Sequence, residues 1–228
     1  GAGAAKRIAA GRGVAQRGAA RRSVAERSFL LFGDRKMKEL KITISGRSPL
    51  MVHNGDLANP MNEWARKIAV VAHKRSKEKT EEDYALLSWL EFRGGLYYDE
   101  KIGPYLPGAG LVSAFRDAAR MSKRGTKKER GFQALCLKNP LGYDGPRSPE
   151  KMFKAGTFTY QTMVKVGMAK VLRTRALFGE WSCVVPCVID AEVLDTSDLE
   201  EILKTGGRLH GMFESRKLGY GRYEAVIS

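Results

Sequence analysis

The chain has 228 residues, 43% of them hydrophobic, and carries 40 Lys and Arg against 25 Asp and Glu, a formal charge of +15. That length suits one domain with insertions or one domain with an arm, and the charge points to a polyanion, nucleic acid ahead of a membrane surface. No apolar run approaches the roughly 18 residues of a spanning helix, and there is no phosphate loop with its lysine, no Ser/His/Asp set and no dinucleotide fingerprint, which sets NTPases, hydrolases and dehydrogenases aside.

Residues 1–36 stand apart. They are almost all Ala, Gly, Arg and Ser until Phe29, and hold nine Lys or Arg against Glu26 and Asp34, so +7 of the +15 sits there. The segment reads as a basic flexible arm or as a leader; it lacks the apolar region of a secretory signal. From 39 to 45, Leu40, Ile42 and Ile44 alternate with Lys41, Thr43 and Ser45, which predicts a half-buried strand. A loop punctuated by Gly46, Pro49, Asn54-Gly55 and Pro60 follows. Two helical stretches come next within 61–93, one carrying Trp64, Ile68 and Val71, the other Tyr84, Leu87 and Leu90 behind a Thr80 cap with Glu81, Glu82 and Asp83 in its first turn.

"GPYLPGAGLVSAFRDAAR", Gly103 to Arg120, is a proline-stiffened, glycine-containing loop that runs into a helix over 108–122. Leu111, Phe115 and Ala118 form its apolar stripe, and Arg116 and Arg120, four apart, stack on one side as a phosphate-facing pair or a solvated face. "SKRGTKKERG" extends the basic character with Lys123, Arg124, Lys127, Lys128 and Arg130. "FQALCLKN" and "LGYDGP" read as short strands, and 157–166 alternates as a firm one. Gly167 and Gly179 bracket a projecting hairpin with Lys170, Arg173 and Arg175. A strand over 181–189 contains Pro186, which predicts an edge or a bulge. Asp195, Thr196 or Ser197 caps a helix over 197–206 that Gly206-Gly207 can end, and a glycine-rich basic loop leads to a closing strand with Tyr223, Ala225 and Ile227 on one side.

The three cysteines, Cys136, Cys183 and Cys187, form no disulfide framework, which fits a reducing, cytoplasmic compartment. Cys183 and Cys187 share a strand face and read as buried structural thiols rather than part of a zinc site. The three histidines are scattered, so no metal or cofactor is expected.

Three stretches, in order, resemble one family: "ITISGRSPLMVHNGD", "GPYLPGAGLVSAFRDAAR" and "SRKLGYGRYEAVIS" are similar to the first strand and loop, the proline-glycine loop with its helix, and the carboxy-terminal glycine loop and last strand of the RAMP superfamily of CRISPR proteins. The resemblance implies an α+β, ferredoxin-like or RRM-like core from strands at 39–45, 157–166, 181–189 and 219–227 and helices at 108–122 and 197–206. Residues 61–93 would then be an inserted helical subdomain and 167–179 a thumb-like β-hairpin. It also implies an RNA-binding backbone subunit that oligomerises along a guide, with RNA or single-stranded DNA, copies of itself and other effector subunits as partners and no membrane.

The expected contacts are Arg47, His53, Gly108, Gly110, Arg116, Arg120, Lys123, Arg124, Lys127, Lys128, Lys170, Arg173, Arg175, Arg216, Lys217, Gly219, Tyr220, Gly221 and Arg222. The cations neutralise phosphates, the glycines admit the strand closely, helix-start amides meet a phosphate, and Tyr220 or Tyr223 stacks on a base. Asp56 and His53, in the loop after the first strand, and His210 are the catalytic candidates. His210 would serve a metal-independent, guide-processing endoribonuclease, the competing reading. A ribosomal or virion structural protein, or a phage single-stranded nucleic-acid-binding protein, is the third.

Overall fold

The structure, a computed structural model, describes residues 36–122 and 128–228. In chain order these form β1 (Met37–Gly46), β2 (Leu50–Val52), α1 (Glu63–Ala72), α2 (Glu81–Gly95), β3 (Tyr98–Asp99), β4 (Gly103–Pro107) and α3 (Gly108–Met121). Then follow β5 (Phe132–Ala134), β6 (Lys138–Gly142), α4 (Pro149–Ala155), β7 (Thr159–Val166), β8 (Ala169–Phe178), β9 (Ser182–Asp190), α5 (Thr196–Thr205) and β10 (Tyr223–Ile227).

In β1, Ile42 and Ile44 are buried while Lys41, Thr43 and Ser45 face solvent, the period-two pattern of a sheet covered on one side. β1 pairs antiparallel with β9 on one side and with β10 on the other. Beyond β9 lie β5, through Phe132 opposite Ile189, and β6, through Leu141 opposite Cys183. Counted as one interrupted strand, β5 and β6 complete a βαββαβ unit with α3 and α5 as its helices and a fourth-first-third-second strand order, which is ferredoxin-like. β4 and β3 extend that sheet past β6. The α+β, ferredoxin-like expectation holds.

Its membership differs from the expected one. The strand at 157–166 is β7, and it pairs along its length with β8, which pairs in turn with β2 to make a separate three-stranded sheet. Alternation identifies a strand but not its partner; the second strand of the core is the broken β5–β6. The hairpin is accordingly longer than 167–179, because Gly167 (φ 60°) is its turn and β7 its first arm. Pro186 does not put β9 at an edge, since β9 is central. Lys41, opposite Pro186, exchanges both backbone hydrogen bonds with Ser228 on its other side, so the pyrrolidine nitrogen points away from β1. It faces the gap between β5 and β6, where Leu135 N–H donates to the Pro186 carbonyl.

α3 and α5 cover one face of the sheet. Leu111, Ala114, Phe115, Ala118 and Ala119 of α3 and Leu199, Ile202 and Leu203 of α5 join the strands in one core. Phe115 stacks on Phe132 at 4.3 Å, and burial of such a ring contributes about 2–3 kcal/mol. Asp195 caps α5 by accepting from Asp198 N–H at 2.8 Å. Gly206-Gly207 does not end the helical path, which continues as a π turn to His210. Both glycines are there for room: a Cβ on Gly206 would lie 2.6 Å from Ala118 Cβ, and one on Gly207 would collide with the Tyr223 carbonyl. The helical pair has its own small cluster, Val71, Leu87 and Leu90, and α2 starts at the expected Thr80 cap, which forms a reciprocal capping box with Asp83.

Candidate nucleic-acid interface

The glycine loop between the π turn and β10 is tied down by its backbone. Glu214 N–H donates to the Met51 carbonyl at 3.0 Å, Gly221 N–H to Pro49 at 2.8 Å and Met212 N–H to Gly221 at 3.0 Å, while Ser48 Oγ donates to Gly219 at 2.7 Å. The loop therefore runs along β2. Phe213 and Ser215 hold φ of 63° and 55°, a left-handed conformation that costs a side-chain-bearing residue about 1–2 kcal/mol and persists only where the surroundings enforce it. The Phe213 ring packs 6.2 Å from that of Tyr97 and over Gly110, where a Cβ would come within 2.8 Å of it.

Beside this loop, three strands place three chemistries in a row. Tyr160 of β7 lies opposite Arg175 of β8, and Val52 of β2 lies opposite Ala176 as the last pair of its ladder; His53, one residue beyond, is close enough for the charge of Arg175 to act on its ring. Directly opposed residues share a sheet face. Arg175 and Tyr160 thus share a face, His53 stands next to Arg175 just past the end of β2 to complete the row, and Tyr220 of the glycine loop reaches it with its ring 6.0 Å from that of Tyr160. The other face of the hairpin is closed by α2, where Ser88 meets Thr174 at 2.8 Å and Gln161 at 3.1 Å. Glu91 of α2 is buried and takes Arg173 with one oxygen and Thr174 N–H, at 2.7 Å, with the other.

The electrostatics of the row are lopsided. Burial first, then the charges of Arg175 and Arg173, push the His53 imidazole down to about 4, so it is uncharged at neutral pH. Burial lowers the Arg175 guanidinium below its ordinary value, with Glu214 and Glu91 opposing the shift. The Tyr220 hydroxyl is raised by its hydrogen bond with Tyr160. His53 Nδ1 is buried and has no hydrogen-bond partner, as does Nη1 of Arg222.

A second polar group pins the loop to α3. Arg216 Nη1 donates to Asp117 Oδ2 at 2.9 Å and also meets His210 Nε2, which lies 3.4 Å from the same carboxylate oxygen. Burial alone would raise the Asp117 carboxyl, but the hydrogen bonds and charges of Arg216 and His210 outweigh it and hold it below the usual range.

The remaining predicted residues are dispersed. Arg47 is exposed and ion-paired with Glu224, Lys128 is paired with Asp198 at the start of α5, and Lys170 stands near the hairpin turn. Arg116 and Arg120 lie on the exposed side of α3, Arg120 at 3.8 Å from Asp117. Lys217 is exposed, and Arg222 N–H donates to Ser48 Oγ at 2.9 Å. Gly108 is buried with its N–H donated to the Leu137 carbonyl at 2.9 Å, and a Cβ there would strike the Cys136 carbonyl, so packing explains this glycine. Gly221 is likewise closed in by Met212, whereas Gly219 (φ 90°) has open space around it. Tyr223 is core. Asp56 is exposed in an Asx turn, its N–H donated to Asn54 Oδ1 at 3.0 Å. Lys123, Arg124 and Lys127, and the segment 1–35, lie outside the described residues.

Sequence reasoning did not single out Tyr160, Asp117, Glu91 or Glu214. The alternation in "TFTYQTMV" puts Tyr160 on a definite strand face, but only the register puts Arg175 next to it. Among the described residues no three His, Cys, Asp or Glu side chains gather as a metal-ligating group, and no helix is long and apolar enough to cross a membrane.

No family model and no curated protein matches the chain. Among solved structures it is similar to a chain of the Type III-B Cmr-beta complex bound to cognate target RNA, at 10% identity and a TM-score of 0.45, over 90% of this chain and 64% of that one. It is also similar to Cmr6 from Pyrococcus furiosus, at 10% identity and a TM-score of 0.35, over 83% of this chain and 99% of that one. The chain therefore spans 64% of the length of the first of these, and the ferredoxin-like fold stands on its own strand order rather than on either likeness.

Proposed function

We propose that this chain binds single-stranded RNA as a subunit of a CRISPR-type effector assembly, in repeated copies along the strand and in the cytoplasm. The observation that carries the reading is the row of His53, Arg175 and Tyr160 under a glycine loop that contributes Tyr220. A guanidinium neutralises a phosphate and a tyrosine pair offers a base a stacking surface, contacts that hold backbone and shape rather than sequence. The exposed cations of α3, Arg116 and Arg120, extend the path, and the β7–β8 hairpin, with Met163 and Leu172 exposed opposite one another, serves as the thumb that separates bases. Residues 61–93 form the inserted helical subdomain of this scheme.

Guide processing is the second reading: His210 Nε2 lies 3.4 Å from Asp117 and beside Arg216, next to the glycine loop, so a paired acid and base is present there. The test is purification without nuclease, followed by extraction of the bound nucleic acid and sedimentation of the protein on RNA of increasing length. The expected result is single-stranded RNA of defined length and sedimentation that rises in steps. Absence of copurifying nucleic acid, together with no retention of a 40-nucleotide RNA on filters at low salt, refutes the reading; metal-free cleavage of the RNA favours the nuclease.

A further inference from the structure

The row beside the glycine loop contains one group that a pure phosphate site does not need. His53 sits next to two guanidiniums yet is kept neutral, and its ring lies against Gly95 of α2, where a Cβ would come within 3.5 Å of Nδ1. Asn54 N–H, bonded to the Gly95 carbonyl at 2.8 Å, and Tyr97 Oη, donating to the His53 carbonyl at 3.3 Å, fix the backbone on both sides of the ring. Nδ1 is buried and unpaired. An unpaired buried N–H is rarer and costlier than an unpaired acceptor, so Nδ1 is the bare nitrogen and Nε2 carries the hydrogen. The result is a fixed, uncharged N–H donor one strand away from Arg175.

A phosphate at that nitrogen would be served by an imidazolium, which would leave a second hydrogen, on buried Nδ1, without an acceptor. The uncharged partner on a nucleic-acid backbone is the sugar, and the only sugar hydroxyl inside an RNA strand is the ribose 2′-hydroxyl, which both donates and accepts and is absent from DNA. We infer that His53 recognises a ribose 2′-hydroxyl beside the phosphate held by Arg175, and so sets a preference for RNA over single-stranded DNA. The inference rests on the nucleic-acid-binding reading above and adds to it the sugar specificity of one position.

The experiment is fluorescence anisotropy with a 30-nucleotide oligouridine RNA and the matched oligodeoxyuridine, each titrated at several salt concentrations, for the wild type and for His53→Ala and His53→Gln. Loss of one neutral hydrogen bond corresponds to a decrease of about three- to tenfold in affinity. The expected result is that loss for RNA with His53→Ala, unchanged affinity for DNA, an unchanged slope of affinity against salt, and partial recovery with His53→Gln, whose amide can donate from a similar distance. Melting curves for each variant report folding, and His53→Gln carries the test if His53→Ala unfolds. Equal losses for RNA and DNA, a shallower salt slope, or no change with either variant overturns the inference while leaving the binding reading intact. A wild type that binds neither oligomer overturns both, and a wild type that binds both equally overturns the inference alone.

Discussion

Glu91→Ala is the perturbation that best measures how the hairpin is held. Glu91 is 4% exposed and comes from α2, whereas Arg173 and Thr174 come from β8. Truncation leaves the Thr174 amide, in a residue 2% exposed, without its acceptor, and the Arg173 guanidinium without its carboxylate. An orphaned buried amide costs about 1–3 kcal/mol, and removal of one partner from a buried ion pair costs about 3–5 kcal/mol in all. The Arg173 side chain is 25% exposed and can turn toward water, which selects the lower end of that range, about 3 kcal/mol. For a domain of this size each kcal/mol moves Tm by about 2–4 °C, so the expected fall is about 6–12 °C. Glu91→Gln keeps an acceptor for Thr174 and should lose about half as much. Circular dichroism melts and urea titrations measure both variants. A Glu91→Ala melt within about 2 °C of the wild type would refute the claim that this carboxylate clamps the hairpin to α2.

Four further outcomes follow from particular contacts. Gly108→Ala forces a Cβ into the Cys136 carbonyl and strains the adjoining Gly108–Leu137 hydrogen bond, so overpacking should cost about 1–3 kcal/mol in a urea titration. Cys183 and Cys187 are both pushed up by burial to about 12, so thiol titration of the native protein at pH 8 should find Cys136 alone, and all three cysteines after denaturation. The depressed Asp117 carboxyl stabilises the fold above the ordinary carboxylate pKa and loses that contribution as pH falls through its folded value; acid melts should therefore fall more steeply for the wild type than for Asp117→Asn, and parallel curves would show that the Arg216 contact is absent in solution. Arg116→Ala with Arg120→Ala should weaken binding of random RNA and reduce its salt dependence while moving Tm little, because both side chains lie on the exposed side of α3; unaltered affinity in a filter assay excludes that side from the strand path.

What could be read from the sequence was local. β1, α3, the Thr80 cap of α2 and the Asp195 cap of α5 each announce themselves within ten or fifteen residues, through a period or a capping side chain. What could not be read was partnership. The period-two pattern in β7 is as good as that in β1, yet one lies in the ferredoxin-like sheet and the other in the hairpin, because the choice depends on contacts with β8 and α2 that no local pattern encodes. The second strand of the core reads only as two short strands, with nothing to assign them to the core: it breaks where Pro186 of its neighbour offers no N–H, and each half is too short to show a period. The interface follows the same division. His53, Arg175 and Tyr220 could be singled out as residue types suited to nucleic acid, but their grouping with Tyr160, and the separation of Lys128 and Arg47 into ion pairs, depend on register and on acids distant in the chain.

The Cα spacing of Arg175 and Tyr160 is set by the hydrogen-bond ladder of β8 and β7, about 4.8 Å from strand to strand, and not by rotamers of long side chains. The backbone thus acts as a ruler whose graduations do not depend on the charged segment at 73–79. A change of charge in the segment at 73–79 would retune overall attraction to polyanions while leaving the Cα spacing of Arg175 and Tyr160 as constant as the peptide geometry itself.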